Sequence, residues 1–197
     1  MSDDRTLALY NSQSAEYAAM MEREAARDPM ITRFIAACPK GGRVLDLGCG
    51  AGHYAERMAA AGLRVDATDA ARAMVELTAR RPGVSARLAR FEDLDASDTY
   101  DGIWAYFSLL HAPRADLPGH LDRIARALKP GGILFLAMKR GQGGKRDNLD
   151  RYYEYYEDEE LKQHLATAGL HPAEIWHGTA EGMAGHPEGW IVISAHG

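Results

Sequence analysis

Three glycines, two aspartates and a histidine carry the chemistry this sequence offers first. Gly48, Gly50 and Gly52 punctuate a turn directly after the short apolar run 43–47. Without a Cβ the backbone can bend tightly there and let a ligand approach closely. The helix that follows presents free N–H groups to a negative group such as a carboxylate. The plain alternative is a tight strand-to-helix connection. Asp46, just inside the strand end, suits a ligand carrying an ammonium group. Asp69 lies at the end of the next strand, where an acid can accept both hydroxyls of a ribose. It could equally cap the following helix, or do both. Turn and acid on successive strand ends are together far more specific than either alone. His111 follows the fourth strand; with a pKa near neutrality it could take a proton, or serve as a loop hydrogen bonder.

These residues need a frame, and the chain supplies one in alternating units. Residues 1–27 read as helical, with Tyr10, Tyr17, Met21 and Ala25 near helical spacing. Asp28-Pro29 gives an N-cap and a proline at the first helical position. Met30, Ile31, Phe34, Ile35 and Cys38 then form one apolar stripe, stopped by Pro39-Lys40-Gly41-Gly42. Strands are expected at 43–47, 63–68, 84–88, 100–107, 133–138, 173–177 and 190–195. Helices fall between them, the last near 158–168 with Asp158 as a cap and Gly169 as a stop. Repeated βα units imply a mostly parallel, doubly wound sheet. In such a sheet the ligand binds beyond the carboxyl ends of the strands, where the strand order reverses.

Composition narrows the setting. The 197 residues suit one domain, with 46% hydrophobic and 26% charged residues in ordinary globular proportion. A net charge of −5 argues against a protein built around nucleic-acid phosphates. Two cysteines far apart form no disulfide framework and suit a reducing compartment. The acidic opening Met1-Ser2-Asp3-Asp4 lacks signal-peptide character, and no apolar run reaches membrane-spanning length. The expectation is a cytoplasmic protein without nucleic-acid or membrane partners, a monomer or homodimer. The eight histidines are scattered without zinc spacing, so no metal is expected.

The segment Val44-Leu45-Asp46-Leu47-Gly48-Cys49-Gly50-Ala51-Gly52 resembles motif I of the class I S-adenosylmethionine-dependent methyltransferases. Asp69 with Met74, Tyr100-Asp101-Gly102-Ile103-Trp104, and Leu128-Lys129-Pro130-Gly131-Gly132 resemble their later landmarks. The likeness is strong over about residues 40–140, and points to the small-molecule, tellurite-resistance-like branch. It implies a Rossmann-like three-layer α/β sandwich whose seven-stranded, mostly parallel sheet has an antiparallel last strand. Residues 1–27 would form a helical lid, 40–140 the cofactor-binding core, and 140–197 the sheet completion and a possible acceptor rim, all in one domain.

The cofactor so implied is S-adenosylmethionine, leaving as S-adenosylhomocysteine. By the same resemblance the turn Gly48, Cys49, Gly50 holds its methionine end, with Asp46 nearby. Asp69 and Ala70 hold its ribose, and Met74 and Phe91 wall its adenine. Many relatives place an aspartate where Arg90 stands, and Glu92 would take over the contact to the adenine amino group. Aromatic faces attract a sulfonium, which makes Tyr17, Tyr106 and Phe107 candidate walls; core or rim packing is the alternative. The reaction would be an in-line methyl displacement onto a small-molecule acceptor, with His111 as its candidate base. The basic, Gly-rich stretch from Lys139-Arg140 through Lys145-Arg146 to Arg151 and the tyrosines at 152–156 could form a rim that meets an anionic or aromatic acceptor; the alternative is a solvated loop leading into an edge strand packed by alternating tyrosines. Three rivals stand beside this reading: a non-catalytic cofactor-binding module, a protein or nucleic-acid methyltransferase, and a nicotinamide oxidoreductase. The last is disfavoured by His53 in the slot of a third glycine and by the lack of a Tyr-x-x-x-Lys pair.

Overall fold

A computed structural model describes residues 3–181, 183 and 185–197. The first two residues of the expected N-terminal helix therefore lie outside the described residues. The rest of that span forms two helices, α1 (Asp4–Ser12) and α2 (Ser14–Arg27). Asp3 caps α1 by accepting from the Thr6 N–H at 2.9 Å. The break falls at Gln13, whose backbone leaves the helical region. Just before it, Asn11 and Ser12 donate from their side chains to the Leu7 and Leu9 carbonyls, the local competition that ends helices. Helix α3 (Pro29–Ala37) starts as its sequence demands: the Asp28 carboxylate accepts from the Met30 N–H at 2.8 Å, with proline at the first position.

Six further elements build the first half of the sheet: β1 (Arg43–Leu47), α4 (His53–Ala60), β2 (Arg64–Asp69), α5 (Arg72–Thr78), β3 (Val84–Leu88) and β4 (Tyr100–Tyr106). Then come α6 (Leu117–Ala127), β5 (Leu128–Arg140), β6 (Gly144–Arg146), β7 (Tyr152–Tyr156), α7 (Asp158–Thr167), β8 (His171–Glu181) and β9 (Pro187–His196). The main sheet runs β3-β2-β1-β4-β5-β9-β8, with β1 to β5 parallel and β9 antiparallel to both of its neighbours. This is the expected Rossmann-like α/β sheet with an antiparallel last strand. One face buries Leu117, Leu121, Ile124, Leu161 and Leu165 from α6 and α7. The other buries Ile31, Phe34, Met58 and Trp104 under α3 and α4.

Two features were not legible beforehand. Strand β5 is longer than expected because Leu128 already pairs with Tyr100 before a register shift. Its far end reaches Lys139, which pairs with Trp190 of β9 and with Tyr155 of β7. A strand residue has one neighbour on each side, and β4 runs opposite β9. Strand β7 therefore continues on β4's side, just beyond where β4 ends. The stretch expected as a rim, or as a loop leading into an edge strand of tyrosines, is thus a hairpin, β6–β7, standing over the carboxyl end of the sheet. Asp158 lies in the first turn of α7 instead of capping it; its carboxylate takes Arg140 and His177.

Candidate active site

The glycine turn is fastened from β2. The Gly48 and Cys49 N–H groups donate to the Thr68 carbonyl at 2.8 and 2.9 Å. The Gly50 N–H donates to Asp69 Oδ2 at 2.9 Å, and the Thr78 hydroxyl donates to the Gly50 carbonyl at 2.8 Å. Gly48 has φ +79°, and a Cβ there would lie 2.3 Å from the Ser108 Cβ. A side chain is excluded twice over, by backbone conformation and by space. Gly48→Ala is expected to cost about 1–3 kcal/mol of stability through strain at this position, lowering the thermal unfolding temperature and weakening any ligand of the turn. A variant with unchanged unfolding temperature would count against so tight a junction. At Gly50 the Tyr17 ring lies 3.0 Å from where a Cβ would stand, so a residue of α2 rests on the turn.

Asp69 does not cap α5, which begins at Arg72 with Ala71 in the cap position and no side-chain cap. Its Oδ1 instead accepts from the Ala71 N–H at 2.8 Å. Each oxygen thus holds one backbone N–H and keeps a second lone pair. Burial pushes its carboxyl above the usual range, opposed by the Ala71 and Gly50 N–H groups. Asp46 lies deeper, at 2% exposure, and its Oδ2 has no hydrogen-bond partner among the described residues. Burial, with the nearby Asp69 charge, pushes it up to about 8. A buried, unpaired carboxylate oxygen is costly. Two acids side by side, one of them with an unsatisfied oxygen, suit a ligand that brings hydroxyls and an ammonium.

The end of β4 shapes the other wall. Phe107 takes φ +53°, rare and strained for a bulky side chain. The chain turns sharply there, so the Ser108 hydroxyl donates back to the Leu47 carbonyl at 2.6 Å. His111 follows on a single 3-10 turn and reaches the hairpin and the lid. Its Nδ1 lies 2.7 Å from the Tyr152 carbonyl, which can only accept, so Nδ1 carries the proton. Nε2 then accepts from the Tyr10 hydroxyl at 3.0 Å. Burial pushes the ring down to about 4, and the Arg151 and Lys139 cations push the same way against the Tyr152 hydrogen bond. The imidazole is neutral at pH 7 and both nitrogens are engaged.

Two cavities meet at this point. The first, about 60 Å³, lies over the turn and is lined among others by Leu7, Tyr17, Asp69, Met74 and Phe91. The second, about 400 Å³, is lined by aromatic and methionine side chains including Tyr54, Tyr106, Tyr153, Trp190, Met21 and Met30, with Lys139 and Arg151. Tyr10, Tyr17, Phe107 and His111 line both. Helix α1 is held across the first by Asn11 Oδ1, which accepts from the Ala73 N–H at 3.0 Å, and by Asp3, paired with Arg146 of the hairpin.

Of the residues singled out from sequence, Tyr17, Gly48, Gly50, Asp69, Ala70, Met74, Phe91, Phe107 and His111 line the first cavity. Tyr106 faces the second alone. Asp46, Cys49 and Glu92 line neither. The Cys49 thiol points at Thr78 and the Gly50 carbonyl, and burial lifts its pKa well above normal. A thiol so placed is not reactive, whatever the helix N-terminus beside it. Glu92 Oε2 is buried without a partner, as are both ring nitrogens of His120 in the same region. Lys145 and Arg146 are not among the lining residues; they pair with Glu188 and with Asp3 and Asp150 respectively. Arg151 and Lys139 are the buried or half-buried cations that reach the second cavity, with Arg27 exposed at its rim. Sequence reasoning missed Leu7, Ser108 and Tyr54 as lining residues, whereas Lys139, Arg151 and Tyr153 belong to the basic, tyrosine-rich stretch expected at the acceptor rim. Arg151 pairs at 2.7 Å with Asp147, four positions earlier. Among the described residues no group of three or more His, Cys, Asp or Glu gathers to hold a metal ion.

A doubly wound sheet of this order, with a glycine turn after β1 and an acid at the end of β2, defines the class I S-adenosylmethionine-dependent methyltransferase fold. Residues 44–132 match the family model described as a methyltransferase domain. The ubiquinone biosynthesis O-methyltransferase of Xanthomonas oryzae pv. oryzae is 40% identical over 105 residues, covering 49% of this chain and 43% of the relative. Its counterpart in Xylella fastidiosa is 37% identical over 105 residues, 49% of this chain and 42% of its own. The chain thus spans less than half the length of these curated relatives. Among solved structures, the Burkholderia thailandensis 1,6-didemethyltoxoflavin-N1-methyltransferase, bound to 1,6-didemethyltoxoflavin and S-adenosylhomocysteine, superposes with a TM-score of 0.80 at 23% identity. It covers 98% of this chain and 87% of that one. A TehB-like methyltransferase from Corynebacterium glutamicum gives 0.71 at 19% identity, covering 93% and 97%.

Proposed function

We propose that this chain transfers a methyl group from S-adenosylmethionine to a small-molecule acceptor. The observation that carries the reading is the junction of the two cavities at Tyr10, Tyr17, Phe107 and His111. One cavity offers the turn and Asp69, with Asp46 buried behind them, suited to the donor; the other is large enough for a flat acceptor and walled by rings. The names of the curated relatives make an oxygen the first target atom to try.

When bound, the donor supplies an electrophilic methyl on a sulfonium, and the transfer is an in-line displacement. The chain's task is to align the partners and exclude water, an effect worth several kcal/mol. Gly48 and Gly50 admit the methionine end, Asp46 meets its ammonium with the unpaired Oδ2, and Asp69 uses its remaining lone pairs for the ribose hydroxyls. Met74 and Phe91 flank the adenine, where Glu92 Oε2 is the candidate acceptor for its amino group. Tyr17 and Phe107 present rings toward the sulfonium. Helices α1 and α2 serve as the lid. With both nitrogens engaged and its pKa depressed, His111 holds Tyr10 in place; it is not itself a free base.

No helix among the described residues is long and apolar enough to cross a membrane. The test is methyl transfer from labelled S-adenosylmethionine to a panel of aromatic hydroxyl, ring-nitrogen and thiol compounds, scored by S-adenosylhomocysteine release. Turnover above the acceptor-free rate for one class supports the reading. Tight binding of the cofactor with no turnover on any class would favour a non-catalytic binding module.

A further inference from the structure

The second cavity contains a buried cation with an uncommitted arm. Arg151, in the hairpin just ahead of β7, is 4% exposed. Its Nε and Nη2 both donate to Asp147 Oδ2, at 2.9 and 2.7 Å. Among the described residues Nη1 has only the Tyr10 oxygen at 3.5 Å and the Met183 thioether at 3.6 Å. The first distance is at the limit for a hydrogen bond, and a thioether is a weak acceptor. Because Tyr10 gives its own proton to His111, it turns a lone pair toward Arg151.

The other charges at this cavity are already matched. Lys139 is bonded to Glu188, which also takes the Tyr155 hydroxyl at 2.6 Å and Lys145. Asp28 holds the Tyr54 hydroxyl and the Met30 N–H. Glu24, Arg27, Glu181 and His186 are solvent-exposed at its rim. What remains inside is one guanidinium arm among rings, beside the residues shared with the donor cavity.

From this geometry we infer that the acceptor is a flat aromatic molecule taken as its anion, its ionised hydroxyl or ring nitrogen received by the Arg151 Nη1 arm next to Tyr10. The inference rests on the proposed methyl transfer and deepens it. The proton of the acceptor leaves to solvent on binding, so the site needs no free base. That agrees with a His111 whose two nitrogens are spent on Tyr152 and Tyr10. Arg151 is thereby an acceptor-binding residue that sets specificity.

The probe is para-nitrophenol, whose anion has its own visible absorbance, with para-nitroanisole as the partner that cannot ionise. Both are titrated into the whole chain saturated with S-adenosylhomocysteine. Para-nitrophenol is expected to bind as the anion, with its apparent pKa lowered and its affinity about tenfold above that of the ether, the equivalent of one pKa unit. In Asp147→Asn/Arg151→Met, which leaves no buried carboxylate unpaired, the lowering is lost. S-adenosylhomocysteine affinity and unfolding temperature stay near wild type, because Arg151 does not line the donor cavity. Arg151→Lys alone restores part of the ionisation. An unshifted para-nitrophenol, equal affinity for the ether, or a shift that survives in the double variant overturns the inference while leaving methyl transfer standing. A folded wild type that fails to bind S-adenosylhomocysteine overturns the methyl-transfer reading and this one with it.

Discussion

Asp69→Ala is expected to weaken S-adenosylhomocysteine binding at least about 100-fold, or about 3 kcal/mol, in a protein that still folds. The two oxygens of Asp69 do two jobs at once. Each holds a backbone N–H, from Gly50 on the turn and from Ala71 ahead of α5, and each keeps a lone pair for the ligand. Alanine frees the turn and removes the ribose acceptor in one step. Asp69→Asn tests the same geometry more finely. One of its ends becomes an NH2 facing a backbone N–H donor, so it is expected to lose most of the affinity despite its shape. Titration calorimetry reads both, with thermal unfolding as the control for fold. Affinity retained within a few-fold in the alanine variant would remove Asp69 from the donor site.

Asp46→Asn is expected to act in opposite directions on stability and on binding. The folded carboxyl titrates near 8 against an ordinary 3.8. A raised acid contributes its stability below the unfolded value, and loses it as pH rises through the folded one. The unliganded wild type should therefore weaken between about pH 4 and pH 8, since ionising Asp46 leaves an unpaired charge beside Asp69. Asparagine cannot ionise, so its unfolding temperature should fall less over that window, with a gain at pH 8 of a few kcal/mol at most. The same change removes the partner of the ligand's ammonium. Affinity for S-adenosylhomocysteine should drop tenfold or more, about 1.4 kcal/mol, and the ligand should stabilise the variant less than the wild type. A variant with parallel pH dependence, or with unchanged affinity, would show that the carboxylate is matched by some other group. The opposition is the usual one between a site kept unsatisfied for its ligand and the stability of the empty fold.

The donor side of the site was readable because its signals are local. A glycine-punctuated turn after an apolar run and an acid on the next strand end are short-range patterns, and parallel βα units carry both to the same edge of the sheet. Helical periodicity put Tyr10 and Tyr17 on a helical stretch and the family resemblance laid that stretch over the edge, although neither could show that the short polar side chains of Asn11 and Ser12 end α1 there. The acceptor side was readable only as a basic rim, not as a cavity. Its walls come from α2, α3, the end of β4, the β6–β7 hairpin and β9, so its lining residues run from Tyr10 to Trp190. Only the α2 stripe through Tyr17, Met20, Met21, Glu24 and Arg27 repeats with a period that could be read. An edge strand at the tyrosines was readable, but not that it folds back on β6 as a hairpin. The overhang of β5 beyond β4 gives that hairpin its place on the main sheet. That pairing decides which cations face inward: Arg151 and Lys139 do, while Lys145 and Arg146 face lid and rim. Tyr106 shows the same limit at the scale of one residue. Its place at the end of β4 was clear, but the positive φ at Phe107 sends the two neighbouring rings to different sets of cavities.

The central claim is that the turn after β1 and the acids at 46 and 69 hold S-adenosylmethionine for transfer. Calorimetric titration of the wild-type chain with S-adenosylmethionine and S-adenosylhomocysteine tests it most directly. The account predicts one site per chain, with micromolar affinity for both. A folded protein that binds neither would contradict it, and would leave the unpaired Asp46 and the glycine turn to a different ligand.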